Sequence, residues 1–290
     1  MDFGRMVTAM VTPFTQEQTI DWKATEKLIE HLIATGTESI VVSGTTGESP
    51  TLTTAEKLEL FSFATKQANS RVKIIAGTGS NNTVQTIAFT KEVEQIGVDG
   101  VMLVAPYYNK PSQLGLVEHF SAIVKQTSLP VMLYNNPART VINMSVETMV
   151  KIASSANNVV AIKESSGDLG QVSALISKLP KDVRVYSGDD NLTLPILAVG
   201  GVGIVSVASH LVGSEIQKMI RAFFDGQVEE AGKIHRQLLP LFNAIFITNV
   251  PAPVKFALSE RGIIEETVRL PIGSLSIDEK NCMRAVLASF

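Results

Sequence analysis

The sequence predicts a (β/α)8 barrel followed by a small helical appendage. Three observations lead there. Eight short apolar, β-branched runs recur along the chain, helical periodicity separates each from the next, and the strand signal stops near residue 225. The runs are Met6–Phe14, Ser39–Gly44, Lys73–Gly79, Gly100–Tyr108, Pro130–Asn135, Val159–Ser165, Arg184–Asp189 and Gly203–Ser209. Each is nearly continuous in its apolar residues, as expected of strands covered on both faces in a parallel sheet.

The stretches Asp21–Thr35, Thr53–Asn69, Asn82–Ile96, Ser112–Thr127, Ser145–Ala156, Gly170–Leu179, Leu192–Val199 and Ser214–Phe224 read as the intervening helices. In the first, Trp22, Leu28, Ile29, Leu32 and Ile33 fall on one side; in the third, Val84, Ile87, Ala88 and Val93 follow polar caps at helical spacing. Strand then helix, repeated eight times, fits a (β/α)8 barrel, with a doubly wound open sheet as the alternative. Beyond it, Gln227–Ile247, Val254–Arg261 and Ile277–Ser289 read as helices separated by Pro251, Pro253 and Pro271. The expected division is a barrel over residues 1–225 and a helical appendage over 226–290.

The 290 residues are 45% hydrophobic and 18% charged, a globular composition. A formal net charge of −3 favours neither nucleic acid nor an anionic membrane as partner. Cys282 is the single cysteine, so an internal disulfide and a Cys/His zinc cluster are both excluded, and the four histidines, His31, His119, His210 and His235, show no metal-ligand spacing. No apolar run reaches the roughly 18 residues of a membrane span, and the start of the chain does not read as a signal peptide. A soluble, cytoplasmic protein without a metal is expected.

Barrel active sites form at the C-terminal ends of the strands. There the chain carries Ser43-Gly44-Thr45-Thr46-Gly47-Glu48, Pro106-Tyr107-Tyr108-Asn109, Tyr134-Asn135-Asn136-Pro137-Ala138-Arg139, Lys163-Glu164-Ser165 and Ser187-Gly188-Asp189-Asp190. Lys163 stands out because it follows Val159-Val160-Ala161-Ile162 on a buried strand, whereas most other lysines fall on helices or loops and read as solvated. An amine that loses hydration of its ammonium form can attack a carbonyl to give a Schiff base. The bland alternative is a structural lysine paired with Glu164 or Asp189. Tyr134 ends the neighbouring strand and reads either as a proton shuttle or as a core aromatic. Gly44-Thr45-Thr46-Gly47 suits a carboxylate or an ordinary turn, and Gly77-Thr78-Gly79 is a weak phosphate signal. Arg139 offers a guanidinium fork for a carboxylate, or a surface ion pair.

Taken together, Gly44-Thr45-Thr46-Gly47-Glu48, Tyr134-Asn135-x-Pro137 and Lys163-Glu164 resemble the pyruvate-dependent class I aldolase family that includes dihydrodipicolinate synthase and N-acetylneuraminate lyase. The resemblance runs from Thr12-Pro13 through Pro251-Ala252-Pro253-Val254-Lys255 to Arg269-Leu270-Pro271. Pro106 to Ser112 and Pro137-Ala138-Arg139-Thr140 resemble the dihydrodipicolinate synthase branch more than the sialic-acid lyases, which lack the arginine. That implies condensation of pyruvate with L-aspartate 4-semialdehyde on the way to diaminopimelate and lysine. It implies an imine on Lys163, proton transfer by Tyr134, and a relay completed by Thr45 and by a Tyr108 reaching into a neighbouring subunit. It implies pyruvate carboxylate binding by Thr46 beside the Val205 backbone, Arg139 on the semialdehyde carboxylate, and Gly188 leaving room for the second substrate. A homotetramer built as a dimer of dimers, and no cofactor, follow from the same resemblance. Asn136 stands where the family usually has an apolar residue and Ala138 where serine or glycine is common, both on the side expected to take the second substrate. Thr54, Lys57 and Gln85 stand where lysine-inhibited members carry histidines and an acid, so weak or absent lysine inhibition is expected. The competing readings are a sibling lyase acting on a 2-keto-3-deoxy sugar acid and a non-catalytic barrel that binds keto acids.

Overall fold

A computed structural model describes residues 2–290, so Met1, at the head of the expected barrel segment, lies outside the described residues. Eight strands close into a barrel in chain order: β1 (Met6–Ala9), β2 (Ser39–Val42), β3 (Lys73–Gly77), β4 (Gly100–Val104), β5 (Val131–Asn135), β6 (Val159–Glu164), β7 (Arg184–Ser187) and β8 (Gly203–Ser206). Every pairing is parallel, and β8 returns to β1 with Met6 opposite Ile204. The open-sheet alternative is thereby excluded. Around the strands lie α1 (Trp22–Ala34), α2 (Thr54–Ala68), α3 (Thr83–Glu94), α4 (Gln113–Val124), the single turn α5 (Pro137–Thr140), α6 (Val146–Ala153), α7 (Leu169–Lys178), α8 (Thr193–Ala198) and α9 (Ser209–Phe224). The chain ends in α10 (Val228–Ala244), α11 (Ala252–Glu260) and α12 (Ile277–Leu287). Among the described residues no helix is long and apolar enough to cross a membrane.

The side chains sort into two apolar layers. Val7, Ala9, Val41, Ile75, Met102, Met132, Tyr134 and Val205 fill the lumen. Met6, Ile40, Val42, Leu103, Leu133 and Ile162 face the helices, where they meet Leu28, Phe61 and Phe120. One irregularity interrupts the alternation. Along β5 and β6, Val131 pairs with Val159 but Met132 pairs with Ala161, leaving Val160 as an extra residue in β6. A bulge of this kind shifts the phase of everything after it. Val160 and Ala161 both join the lumen layer, Ile162 turns out, and Tyr134 comes opposite Lys163.

The strands are shorter than their apolar runs. Met10–Phe14 leaves the sheet after Ala9 and stays buried, because the run continues into a loop that packs under the mouth of the barrel. The helix expected from Ser214 starts earlier, at Ser209, and is broken at Val212; its first turn is held by His210, whose Nδ1 lies 2.8 Å from the Val207 carbonyl. On α3 the buried face is Thr86, Thr90 and Val93, and Val84 is exposed. Helix starts follow the capping residues: Asp21, Asn82, Ser112, Ser145 and Asp168 each accept a backbone amide hydrogen of the first turn, and Thr53 with Glu56 forms a full capping box.

The C-terminal helices clasp the loop that follows β2. Lys255, on α11, is fully buried; it forms an ion pair with Glu48 Oε1 at 2.6 Å and donates to the Thr267 carbonyl at 2.8 Å, with its ammonium 4.1 Å from the centre of the Phe14 ring. Burial pulls its pKa down to about 8 against the opposing pull of Glu48. The Arg269 amide donates to Glu48 Oε2 at 2.9 Å, and its guanidinium grips Glu56, whose carboxyl it holds down to about 2. Lys255 contradicts the expectation that helical lysines are solvated, because the ammonium finds a carboxylate and a carbonyl that only the folded chain brings to it.

Removing one partner of a buried ion pair leaves the other charge unpaired, at a cost of about 3–5 kcal/mol, whereas removing both costs much less. Lys255→Met is therefore expected to lose about that much in chemical denaturation. Adding Glu48→Gln should recover most of the loss; a double variant as unstable as the summed singles would show that the pair is not the anchor.

Candidate active site

Adjacent residues on β5 and β6 take opposite faces. Asn135 and Glu164 point to the helix layer, where Asn135 Nδ2 donates to both Glu164 oxygens at 3.1 Å and to Asn143 Oδ1 at 2.7 Å. The Ser166 amide and Gln171 Nε2 also donate to Glu164, at 2.7 and 3.2 Å. Burial pushes the Glu164 carboxyl upward against these bonds. Tyr134 and Lys163 point to the lumen, and Lys163 Nζ sits 4.2 Å from the centre of the Tyr134 ring.

Two lysines are buried, and their surroundings differ. Lys255 has an ion pair and a carbonyl acceptor. Lys163 is 5% exposed and, among the described residues, has neither. The structural pairing with Glu164 fails because the bulge turns Glu164 away. Asp189 feels the lysine without pairing with it: burial raises its carboxyl pKa while Lys163 and Arg139 draw it back, yet no ion pair with Lys163 forms. Asp190 serves the scaffold, since Ser206 Oγ and the amides of Val207 and Ala208 donate to it and so pin the end of β8.

The loop after β2 is a tight turn, in which the Gly47 and Glu48 amides donate to the Gly44 and Thr45 carbonyls at 3.1 Å. A methyl group on Gly47 would come within 3.0 Å of the Met10 carbonyl, so a side chain there would be crowded. The turn presents Thr45 to a cavity of about 620 Å³ whose wall also includes Tyr134 and Arg139. Arg139 is exposed on α5, and its guanidinium has no ion pair among the described residues, contrary to the surface-pair alternative. Thr46, Gly188, Val205 and Lys163 are not on that wall: Thr46 is buried in the turn and Val205 in the lumen layer. A side chain at Gly188 would strike Ser165 Oγ and come within 2.9 Å of Lys163 Cε, so the glycine leaves room for the lysine stem. Tyr108 is not brought to the site of its own chain. It is 87% exposed, with a left-handed backbone (φ 76°), and Tyr107 lines the cavity instead. Gly77 and Gly79 pack their backbone against Ser43 and Leu103–Val104, which accounts for them without a phosphate.

Two residues of the site escape a linear reading. Asn136, expected beside the second substrate, turns inward, and its amide donates to the Tyr134 hydroxyl oxygen at 2.7 Å. Ser165 Oγ is buried with no hydrogen-bond partner. Both follow strand-end motifs that the sequence does display, but the direction of each side chain depends on the turn after the strand. The same cavity runs outward past Thr54, Lys57 and Gln85, and desolvation lowers the pKa of the Lys57 ammonium.

Comparison with known proteins bears on this arrangement. The model of the dihydrodipicolinate synthetase family matches residues 2–289. The 4-hydroxy-tetrahydrodipicolinate synthase of Bacillus subtilis (strain 168) is 52% identical over 288 residues, 99% of each chain. Among solved structures, a dihydrodipicolinate synthase of Bacillus anthracis superposes with a TM-score of 0.98 at 49% identity, covering 100% of this chain and 99% of its own. The enzyme of Cyanidioschyzon merolae, solved with lysine bound, superposes with a TM-score of 0.97 at 44% identity, over 99% and 98% of the two chains. Agreement in sequence and in fold over the whole length places this chain in the dihydrodipicolinate synthetase family.

Proposed function

We propose that this protein condenses pyruvate with L-aspartate 4-semialdehyde through an imine on Lys163, in the route to diaminopimelate and lysine. The observation that carries the reading is a buried lysine amine without a counter-ion, facing a tyrosine across one register step of a parallel barrel. The activity named for its half-identical relatives agrees with it.

In this reading Lys163 Nζ adds to the carbonyl carbon of pyruvate, and the carbinolamine loses water to give the imine. Electrons drawn toward the imine nitrogen let a methyl proton leave, and the enamine carbon attacks the aldehyde. Tyr134 gives and takes the protons, with Thr45 and a Tyr108 from a second copy completing the relay. Thr46, beside the Val205 backbone, holds the pyruvate carboxylate, Arg139 holds that of the semialdehyde, and Gly188, by carrying no side chain, lets the second substrate approach. The imine is itself the electron sink, so the chemistry calls on no metal ion or organic cofactor.

The exposed Tyr108 is the reason for inferring at least a dimer, and a dimer of dimers gives each site its partner. Residues 1–225 carry the catalysis, and 226–290 brace the loop after β2. The cytoplasm is the compartment that this activity implies. A sugar-acid lyase working on the same imine is less favoured, because Arg139 stands free at the mouth of the cavity as a carboxylate fork.

Incubation with pyruvate and borohydride, followed by peptide mapping, should give one stable adduct, on Lys163; no adduct on folded protein would overturn the reading. Arg139→Ala should raise KM for the semialdehyde by roughly 10- to 100-fold, the loss expected for a charge-assisted pair, while pyruvate trapping is unchanged. The Lys57 ammonium in the outer cavity should repel the ammonium of free lysine. Inhibition by lysine is accordingly expected to be weak and to strengthen in Lys57→Gln; an inhibition constant well below millimolar for the unmodified protein would contradict this.

A further inference from the structure

Asn136 makes two bonds with one carboxamide. It occupies the N-cap of α5, where its Oδ1 accepts the Arg139 amide hydrogen at 3.2 Å, and its Nδ2 donates to Tyr134 Oη at 2.7 Å. The cap settles which end of the amide faces which way, because only the oxygen can accept from a backbone N–H. The nitrogen is then left facing the phenol. A carboxamide nitrogen has hydrogens to give and no acceptor to offer, so the bond fills an acceptor position on the phenol oxygen and leaves the phenol's own hydrogen to point elsewhere. Nothing else among the described residues bonds to that oxygen. The side chain is 8% exposed, so water does not compete freely for the bond.

We propose that Asn136 is a positioning residue for proton transfer: held by the cap of α5, its amide aims the Tyr134 hydroxyl hydrogen into the lumen and steadies the oxygen once that hydrogen has gone. The inference rests on the imine reading given under Proposed function. There the phenol protonates the departing hydroxyl of the carbinolamine, which leaves as water, and the phenolate then takes a proton from the methyl carbon of the imine. A hydrogen bond to an ionised oxygen is roughly twice as strong as one to a neutral oxygen, so the Asn136 bond favours the state in which the phenol has given up its proton. Lys163 on β6 lies over the phenol ring, and the charged groups on the cavity wall that it shares are Arg139 on α5, Lys57 on α2 and Glu92 on α3; Asp189 beyond β7 is coupled to Lys163 and Arg139, and β4 presents the uncharged Met102 and Val104. All of these remain in the variants below. The same amide ties the phenol to the turn that carries Arg139, so proton transfer and the grip on the second substrate share one support.

Two variants separate these roles, read first without the second substrate. Wild type, Asn136→Leu and Asn136→Asp are given pyruvate in heavy water, and hydrogen–deuterium exchange of the methyl group is followed by proton NMR across pH. Asn136→Leu removes both bonds. Exchange should slow by about 10-fold, and its alkaline limb should move upward by about one pH unit, the change expected on losing one charge-assisted bond. Asn136→Asp keeps an acceptor for the cap but sets a carboxylate against the phenol. Exchange should slow further and the limb rise further, while KM for the semialdehyde stays within about twofold of wild type, because the Arg139 turn remains capped. Should the leucine variant misfold, the aspartate variant alone carries the test. Exchange with the wild-type rate and alkaline limb would overturn the inference, as would equal slowing in both variants with no movement of the limb, which is what a structural role alone predicts. Absence of a borohydride-trapped adduct in wild type is a separate result that removes the imine reading and this inference with it.

Discussion

The phase of β6 decides which polar side chains face the lumen of this barrel. In a closed parallel barrel each side chain has two destinations, lumen or helix layer, and the choice alternates along the strand. Counted from Val159 without interruption, the alternation would send Lys163 outward to the helices and Glu164 into the lumen. The extra residue at Val160 reverses this, setting the amine beside Tyr134 and the carboxylate among Asn135, Ser166 and Gln171. The bulge disrupts one step of the ladder, and in exchange every residue after it changes face. The buried lysine that results has no ion pair among the described residues, an arrangement that packing alone does not favour.

The remaining parts of the site come from turns, and the turns are fixed from outside the barrel. Thr45 and Thr46 sit in a loop whose last residue, Glu48, is bonded by Lys255 and by the amide of Arg269. Phe14, from the loop after β1, lies under both cations. The C-terminal segment thus reaches the loop after β2 through charge rather than by adding residues to the cavity. Arg139 and Asn136 share a single helical turn after β5, so the mouth of the barrel is assembled from short segments that each depend on one or two hydrogen bonds.

How much of this could be read in the sequence varied with the kind of information involved. The eight-fold β/α order was legible because strands buried on both faces leave continuous apolar runs. Lys163 and Tyr134 were legible because a polar residue at the end of such a run is conspicuous. Strand ends were not: Gly100–Tyr108 is apolar throughout, yet β4 stops at Val104, because Ala105 and Pro106 stay buried past the sheet and Tyr107 and Tyr108 carry the run onto an exposed loop. The bulge at Val160 leaves no mark in a run of small apolar residues. The direction of the Asn136 amide depends on a cap geometry that the tripeptide Asn136-Pro137-Ala138 hints at but does not fix. The partnership of Lys255 with Glu48 joins residues far apart along the chain, and nothing in either segment announces the other. Tyr108 illustrates the same limit, because its exposure and left-handed backbone are set by the loop after β4 and not by the apolar run that precedes it.

The buried Lys255–Glu48 pair also constrains how such a chain can change over generations. Either position altered alone strands a bare charge in the interior, so a lineage leaving this arrangement must pass through a damaged intermediate or change both sites at once. Because Glu48 closes the turn that carries the two threonines, the constraint bears on the lining of the cavity as well as on stability. The short stretch around Lys255 is kept in step with a loop on the far side of the sequence. The segment around α11 is in this sense tied to the loop after β2 rather than merely packed beside it.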